Sequence, residues 1–126
     1  MPSLEVTVTA KVFPTESEER IMEILSDTFP GMKFERKGDY IVGKGDESSI
    51  DNLINMIGRE KIAARAYVLF KKRKRGNSIL IPLERDPLAV KRISFGEDGE
   101  FPPIWVEIRG DVDAILARLR NLADIR

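Results

Sequence analysis

Strands and helices that follow one another without strict alternation predict an α+β fold: a two-layer domain with a mostly antiparallel sheet and helices packed on one face. Three observations carry this. Residues 4–12 alternate, with Leu4, Val6, Val8, Ala10 and Val12 on one face and Glu5, Thr7, Thr9 and Lys11 on the other; a period of two marks a strand covered on one side. Two segments, 16–29 and 111–123, instead repeat apolar residues at helical spacing. The order along the chain reads β-α-β-β-α-α-β-β-β-α, with no internal repeat or linker, so residues 1–126 are expected to form one domain.

Each element has a local cause. Pro14 stops the first strand, and Thr15 with Glu18 makes a capping-box pattern that opens the first helix. That helix turns Ile21, Met22, Ile24, Leu25, Thr28 and Phe29 to one side, and Pro30-Gly31 closes it. A hairpin follows over residues 32–36 and 40–44, turning at Lys37-Gly38-Asp39. Ser48 or Ser49 caps a second helix that buries Ile50, Leu53, Ile54 and Ile57 and ends near Gly58. Residues 59–73 admit two readings. Tyr67-Val68-Leu69-Phe70 suits a strand, but Ile62, Ala66, Leu69 and Phe70 keep helical spacing, and Ala63, Ala64 and Ala66 favour helix.

Gly76-Asn77 signals a turn before a strand over residues 78–83, where Pro82 argues for an edge or a bulge. A single helical turn is read over residues 86–89, a short strand over 92–95 and a turn over 96–99. In the last strand Ile104, Val106 and Ile108 alternate with Trp105, Glu107 and Arg109. The final helix buries Val112, Ile115, Leu116, Leu119, Leu122 and Ala123.

Composition narrows the chemistry. The 126 residues are 42% hydrophobic and 33% charged, as in a folded globular domain, and no apolar run approaches the roughly 20 residues of a spanning helix. The N-terminal stretch has no basic segment ahead of an apolar one, so a cytoplasmic protein with no membrane partner is expected. There is no cysteine and no histidine. Disulfides, thiolate nucleophiles, the usual zinc ligand sets and the commonest general base are therefore absent, and the expectation is a non-enzyme without cofactor or metal.

Charge is balanced in total, with 21 residues of each sign, yet segregated along the chain. Residues 1–58 carry a net of −5 and residues 76–126 a net of −2, whereas residues 59–75 hold 8 basic residues against 1 acidic. The centre of that segment is Lys71-Lys72-Arg73-Lys74-Arg75. Five adjacent cations repel one another and must face water, where they offer a site for phosphates through counterion release. Arg59, Lys61 and Arg65 extend the patch if the segment is helical, and Arg65, at the edge of the buried stripe, alternatively pairs with a carboxylate. The plainer reading of the run is a solvated helix end, where cations also suit the dipole. Arg85, Lys91 and Arg92 form a possible second basic edge.

Other features are weaker. Trp105 points away from the Ile104–Val106 face, which makes it a packing residue, a stacking platform or the anchor of a dimer interface. Tyr40, Tyr67 and Phe70 are the remaining candidate stackers, while Phe29, Phe34 and Phe95 belong to apolar faces. Gly43-Lys44-Gly45 lacks the spacing of a phosphate loop and reads as an end-of-strand turn. The acidic groups Asp46, Glu47, Asp51 and Glu97, Asp98, Glu100 lack the alternation of a calcium loop and read as solvated turns.

Phe13-Pro14-Thr15-Glu16, Ile62 to Arg65, Gly76-Asn77 and the strand Pro103-Ile104-Trp105-Val106-Glu107-Ile108 together resemble the archaeal uncharacterised protein family 0201, in register over nearly the whole chain. Leu83-Glu84-Arg85 stands where that family has Leu-Asn-Lys. Pro87 and Leu88 replace small alanines, and Lys91 replaces a glycine. The resemblance implies an α+β fold like that of a large-subunit ribosomal protein, and an RNA-binding or exosome-associated role. Residues and resemblance together give the expectation of a non-catalytic domain that contacts RNA, or a ribonucleoprotein complex, through Lys71 to Arg75. The alternative is an interaction or homodimer module built on Trp105 and a sheet edge.

Overall fold

In the computed structural model, which describes residues 3–96 and 102–124, the first strand organises the molecule. Strand β1 (Leu4–Lys11) pairs antiparallel with β3 (Tyr40–Gly45) on one side and with β6 (Ile104–Gly110) on the other. β2 (Lys33–Lys37) closes a hairpin onto β3, β5 (Ser78–Leu83) pairs with β6, and the two-residue β4 (Lys74–Arg75) pairs with the start of β5. The result is one antiparallel sheet in the order β2-β3-β1-β6-β5-β4. The helices are α1 (Glu18–Thr28), α2 (Glu47–Arg59), α3 (Ala63–Lys72), the short α4 (Arg85–Ala89) and α5 (Val112–Ala123). The α+β class and the one-sided layering are as the alternation predicts.

The core lies between the helices and one face of the sheet. Val6, Val8, Ala10, Ile41, Ile79, Ile81, Val106 and Ile108 meet Leu25, Ile50, Leu53, Ile57, Ala66, Phe70, Ile115 and Leu119, all essentially without exposure. Val12 is also buried, where its N–H donates to Asp39 O. Gly43 has a packing reason: a Cβ there would collide with the Phe34 ring and Met32. Gly45 similarly makes room for Ser49. The Gly-Lys-Gly sequence is therefore the last, fully paired part of strand β3, not the end-of-strand turn that its composition suggests.

Several boundaries differ from expectation for identifiable reasons. Helix α1 is capped by Ser17, whose Oγ accepts from Arg20 N at 3.3 Å, and not by Thr15. Thr15 is taken up in a preceding turn, where Glu16 N donates to Phe13 O and Phe13 N donates back to Glu16 Oε1. Asp46, not a serine, caps α2: it accepts from Ser48 N at 3.0 Å and Ser48 Oγ at 2.6 Å. The Ser48 hydroxyl, followed by the Ser48 and Ser49 N–H groups, holds the Asp46 carboxyl below the usual carboxylate range. Residues 59–73 are not one helix. α2 runs to Arg59, Lys61 turns the chain with φ of 58°, and α3 begins at Ala63.

Residues 92–95, expected as a strand, form only a single bridge, Leu83 to Phe95. Two main-chain bonds, Arg92 N to Pro87 O and Glu84 N to Ser94 O, both at 2.8 Å, hold the stretch together with one side chain. Glu60 accepts from Ile93 N at 2.6 Å and from Arg92 Nε at 2.7 Å. Pro82 fits its edge reading, since β4 covers only Ser78 and Ile79 on the outer side of β5. On α5, Leu122 is 49% exposed, not buried. The turn expected at residues 96–99 lies largely outside the described residues.

Candidate nucleic-acid interface

The basic run is divided by the end of α3. Lys71 and Lys72 occupy the last helical turn, where their charge suits the negative end of the helix dipole. Arg73 caps the helix, and Lys74 and Arg75 form strand β4. The hairpin to β5 turns at Gly76, whose φ of 60° suits glycine. Because successive strand residues point to opposite faces, Lys74 and Arg75 part company. Lys74 Nζ reaches Asp113 Oδ1 of α5 at 2.7 Å. Arg75 Nη1 donates to the carbonyls of Lys72 and Lys74 at 3.0 and 2.8 Å.

Arg73 leaves the helix side altogether. Its Nε donates to Leu80 O at 2.5 Å, and its guanidinium stands 5.5 Å from the Trp105 ring centroid. Trp105 does point away from Ile104 and Val106, as the alternation requires, and is partly covered by this stacking. Lys71 Nζ lies 5.8 Å from the Tyr67 ring. Among the described residues, Lys71, Lys72 and Arg75 form no ion pair.

Arg59, Lys61 and Arg65 are exposed but lie on three different pieces: the end of α2, the linking turn and the first turns of α3. They do not continue the run along one helix, because Lys61 breaks the helical path. Arg65 makes no ion pair among the described residues, so the alternative that it pairs with a carboxylate is not realised there.

The second basic edge is not a free edge. Arg85 is mostly buried, donating to Glu16 Oε1 at 3.0 Å and to Pro102 O at 3.3 Å, with its guanidinium 5.2 Å from the Phe13 ring. Arg92 is held by Glu60, which leaves Lys91. The cleft beside Arg85 is lined by Glu16, Glu84 and Asp86, so its charge opposes an anion.

The acidic candidates are similarly occupied. Asp46 caps α2, and Arg118 Nη1 lies 2.7 Å from Asp51 Oδ1 and 3.9 Å from Glu47 Oε1. Glu97, Asp98 and Glu100 lie outside the described residues. Among the described residues no group of three carboxylates converges on a point that would hold a metal ion, and no helix is long and apolar enough to cross a membrane.

The sequence reading passed over a set of cations on the uncovered face of the sheet. Lys11, Lys33, Lys37, Lys44 and Arg109 stand there with Arg75, at strand positions opposite in phase to the buried residues. The alternation already sets Lys11 and Arg109 opposite to the buried residues of their own strands. Only the pairing register shows that Lys33, Lys37, Lys44 and Arg75 share that face.

No protein-family model matches the chain. It is similar to the UPF0201 protein of Pyrococcus horikoshii, 28% identical over 83% of this chain and 80% of that protein. It is also similar to the UPF0201 protein of Methanothermobacter thermautotrophicus, 29% identical over 85% of this chain and 83% of that one. In structure it resembles the UPF0201 protein of Methanococcus jannaschii, with a TM-score of 0.76 over 97% of this chain and 94% of that chain at 23% identity. The relatives are archaeal proteins named without a function, in agreement with the resemblance read from the short motifs, and the structural likeness bears on the fold.

Proposed function

We propose that this protein is a non-catalytic RNA-binding or ribonucleoprotein-associated domain of the cytoplasm, holding the RNA backbone through the segment at the end of α3. The observation that carries the reading is the exposure of Lys71, Lys72 and Arg75 without ion-pair partners among the described residues, inside a segment with 8 basic residues and 1 acidic. Unpaired, solvated cations of one sign attract a polyanion and release its counterions on contact. Partnership with an RNA-processing assembly such as an exosome follows from the family resemblance and is part of the proposal. The reading needs no cofactor, since backbone contacts position an RNA without chemistry.

The test is a titration of labelled single-stranded RNA at several salt concentrations. Three to five phosphate contacts give a slope of log affinity against log salt of roughly −2 to −3.5. Replacing Lys71, Lys72 and Arg75 by serine weakens binding to different RNA sequences alike and makes the slope shallower, with the melting curve unchanged. Lys74 is left in place because it is engaged by Asp113. Equal affinity and slope for the two proteins, or no binding by the wild type at low salt, would reduce the run to a solvated helix end.

A further inference from the structure

We infer that the open face of the sheet is a track for single-stranded RNA, of which the basic run is one end; this rests on the RNA-binding reading above. The helices cover the other face, and the register lays out the open one in rows. One row runs Lys33, Lys44, Thr7, Glu107, Leu80 across β2, β3, β1, β6 and β5, and the next runs Glu35, Val42, Thr9, Trp105, Pro82. Lys37, Tyr40 and Lys11 stand beyond it, and Glu5, Arg109, Ser78 and Arg75 on the other side. Among the described residues the strands thus present six cations, Lys11, Lys33, Lys37, Lys44, Arg75 and Arg109, against the carboxylates Glu5, Glu35 and Glu107. The chain as a whole has equal numbers of each sign, so this face is selectively cationic.

Two details favour a nucleic acid over another occupant. Lys33 and Lys44 are direct cross-strand partners on this face, and among the described residues neither has an ion pair. Like charges placed so are destabilising, and an anion laid between them removes the cost. Trp105 lies on β6 near the middle of the face, and Tyr40 is 45% exposed on β3. Strand spacing puts their backbone positions roughly 12 Å apart, within reach of bases on one extended strand. Arg73 over Trp105 and Arg75 on β4 connect this surface to the run at the end of α3. A second copy of the chain on the face would oppose its own excess of cations. A duplex keeps its bases stacked internally and has no use for the two rings. The track therefore takes a single strand, with phosphates on Lys33, Lys44, Lys11 and Arg75 and bases stacked on Trp105 and Tyr40.

The experiment compares the full chain with Lys33→Glu/Lys44→Glu, Trp105→Leu, Tyr40→Ala and the serine triple variant at the helix end. The probes are a single-stranded RNA of about twelve nucleotides, a duplex of equal charge and poly-glutamate. Trp105 is the only tryptophan, so its fluorescence reports directly on a base stacked over it. Single-stranded RNA is expected to quench that fluorescence and to bind better than the duplex or poly-glutamate. Loss of either ring weakens it by about five- to hundredfold, and the double charge reversal by about tenfold or more with a shallower salt slope. Melting curves check folding, and Tyr40→Ala with the lysine variant decides the matter if Trp105→Leu is unstable. Unchanged binding by the sheet variants alongside loss in the helix-end variant overturns the track and leaves the RNA reading standing. Equal binding of poly-glutamate overturns the track as an RNA surface, and no binding of RNA by the wild type overturns both.

Discussion

At the residue scale the backbone explains a departure that the sequence exposes without interpreting. Lys91 stands where the resembled family has glycine, and it adopts φ of 60° just beyond the C-cap of α4. A left-handed residue after a helix end is the usual place for glycine, because a Cβ there costs about 1–2 kcal/mol. Lys61 repeats the situation after α2, with φ of 58°. Lys91→Gly is therefore expected to stabilise the fold by up to about 1 kcal/mol, the relief being partly offset by the entropy of an unfolded glycine. Chemical denaturation of the two proteins checks it. A loss of stability would mean that the Lys91 side chain makes a contact outweighing its backbone cost.

At the element scale, alternation and helical spacing were legible because they report which face is covered. The β1 pattern and the α1 stripe through Ile21, Leu25 and Phe29 follow from it. The β2–β3 hairpin is where its turn residues put it, except that Lys37 belongs to the ladder opposite Tyr40 and not to the turn. Boundaries were less legible because several side chains compete for the same free backbone groups. Thr15 and Ser17 both suit a cap, and the choice is made by the turn that Glu16 closes on Phe13. Residues 92–95 have strand composition, but their tie to Glu60 lies 33 positions away and cannot be seen locally. The cap assignment is testable. Ser17→Ala is expected to cost about 0.5–2 kcal/mol, and Thr15→Ala, at an exposed turn, within about 0.5 kcal/mol of nothing. Equal costs in denaturant titrations would return the cap to Thr15.

At the scale of the whole molecule the charge segregation of the sequence was legible, but its spatial consequence was not. The run from Lys71 to Arg75 reads as one patch, yet the structure sends Lys74 to Asp113 on the helix side and Arg73 to Trp105 on the sheet side. Conversely, Lys33 and Lys44 sit in the two arms of one hairpin, and only the β2–β3 register makes them direct partners. This distribution bears on the alternative of a homodimer built on Trp105. A partner on the open face must approach Lys11, Lys33, Lys37, Lys44, Arg75 and Arg109, and at the β2 edge Lys33 and Lys37 oppose pairing in the way charged edge strands do. Repulsion of this kind is strongest when salt is low, where the Debye length is roughly 30 Å at 0.01 M against 10 Å at 0.1 M. Light scattering is therefore expected to give the mass of a single chain at low salt and high protein concentration, for wild type and Trp105→Ala alike. A wild-type dimer at low salt that Trp105→Ala dissolves would show that the ring anchors a protein interface, and the open face would then be occupied by a second chain and not by RNA.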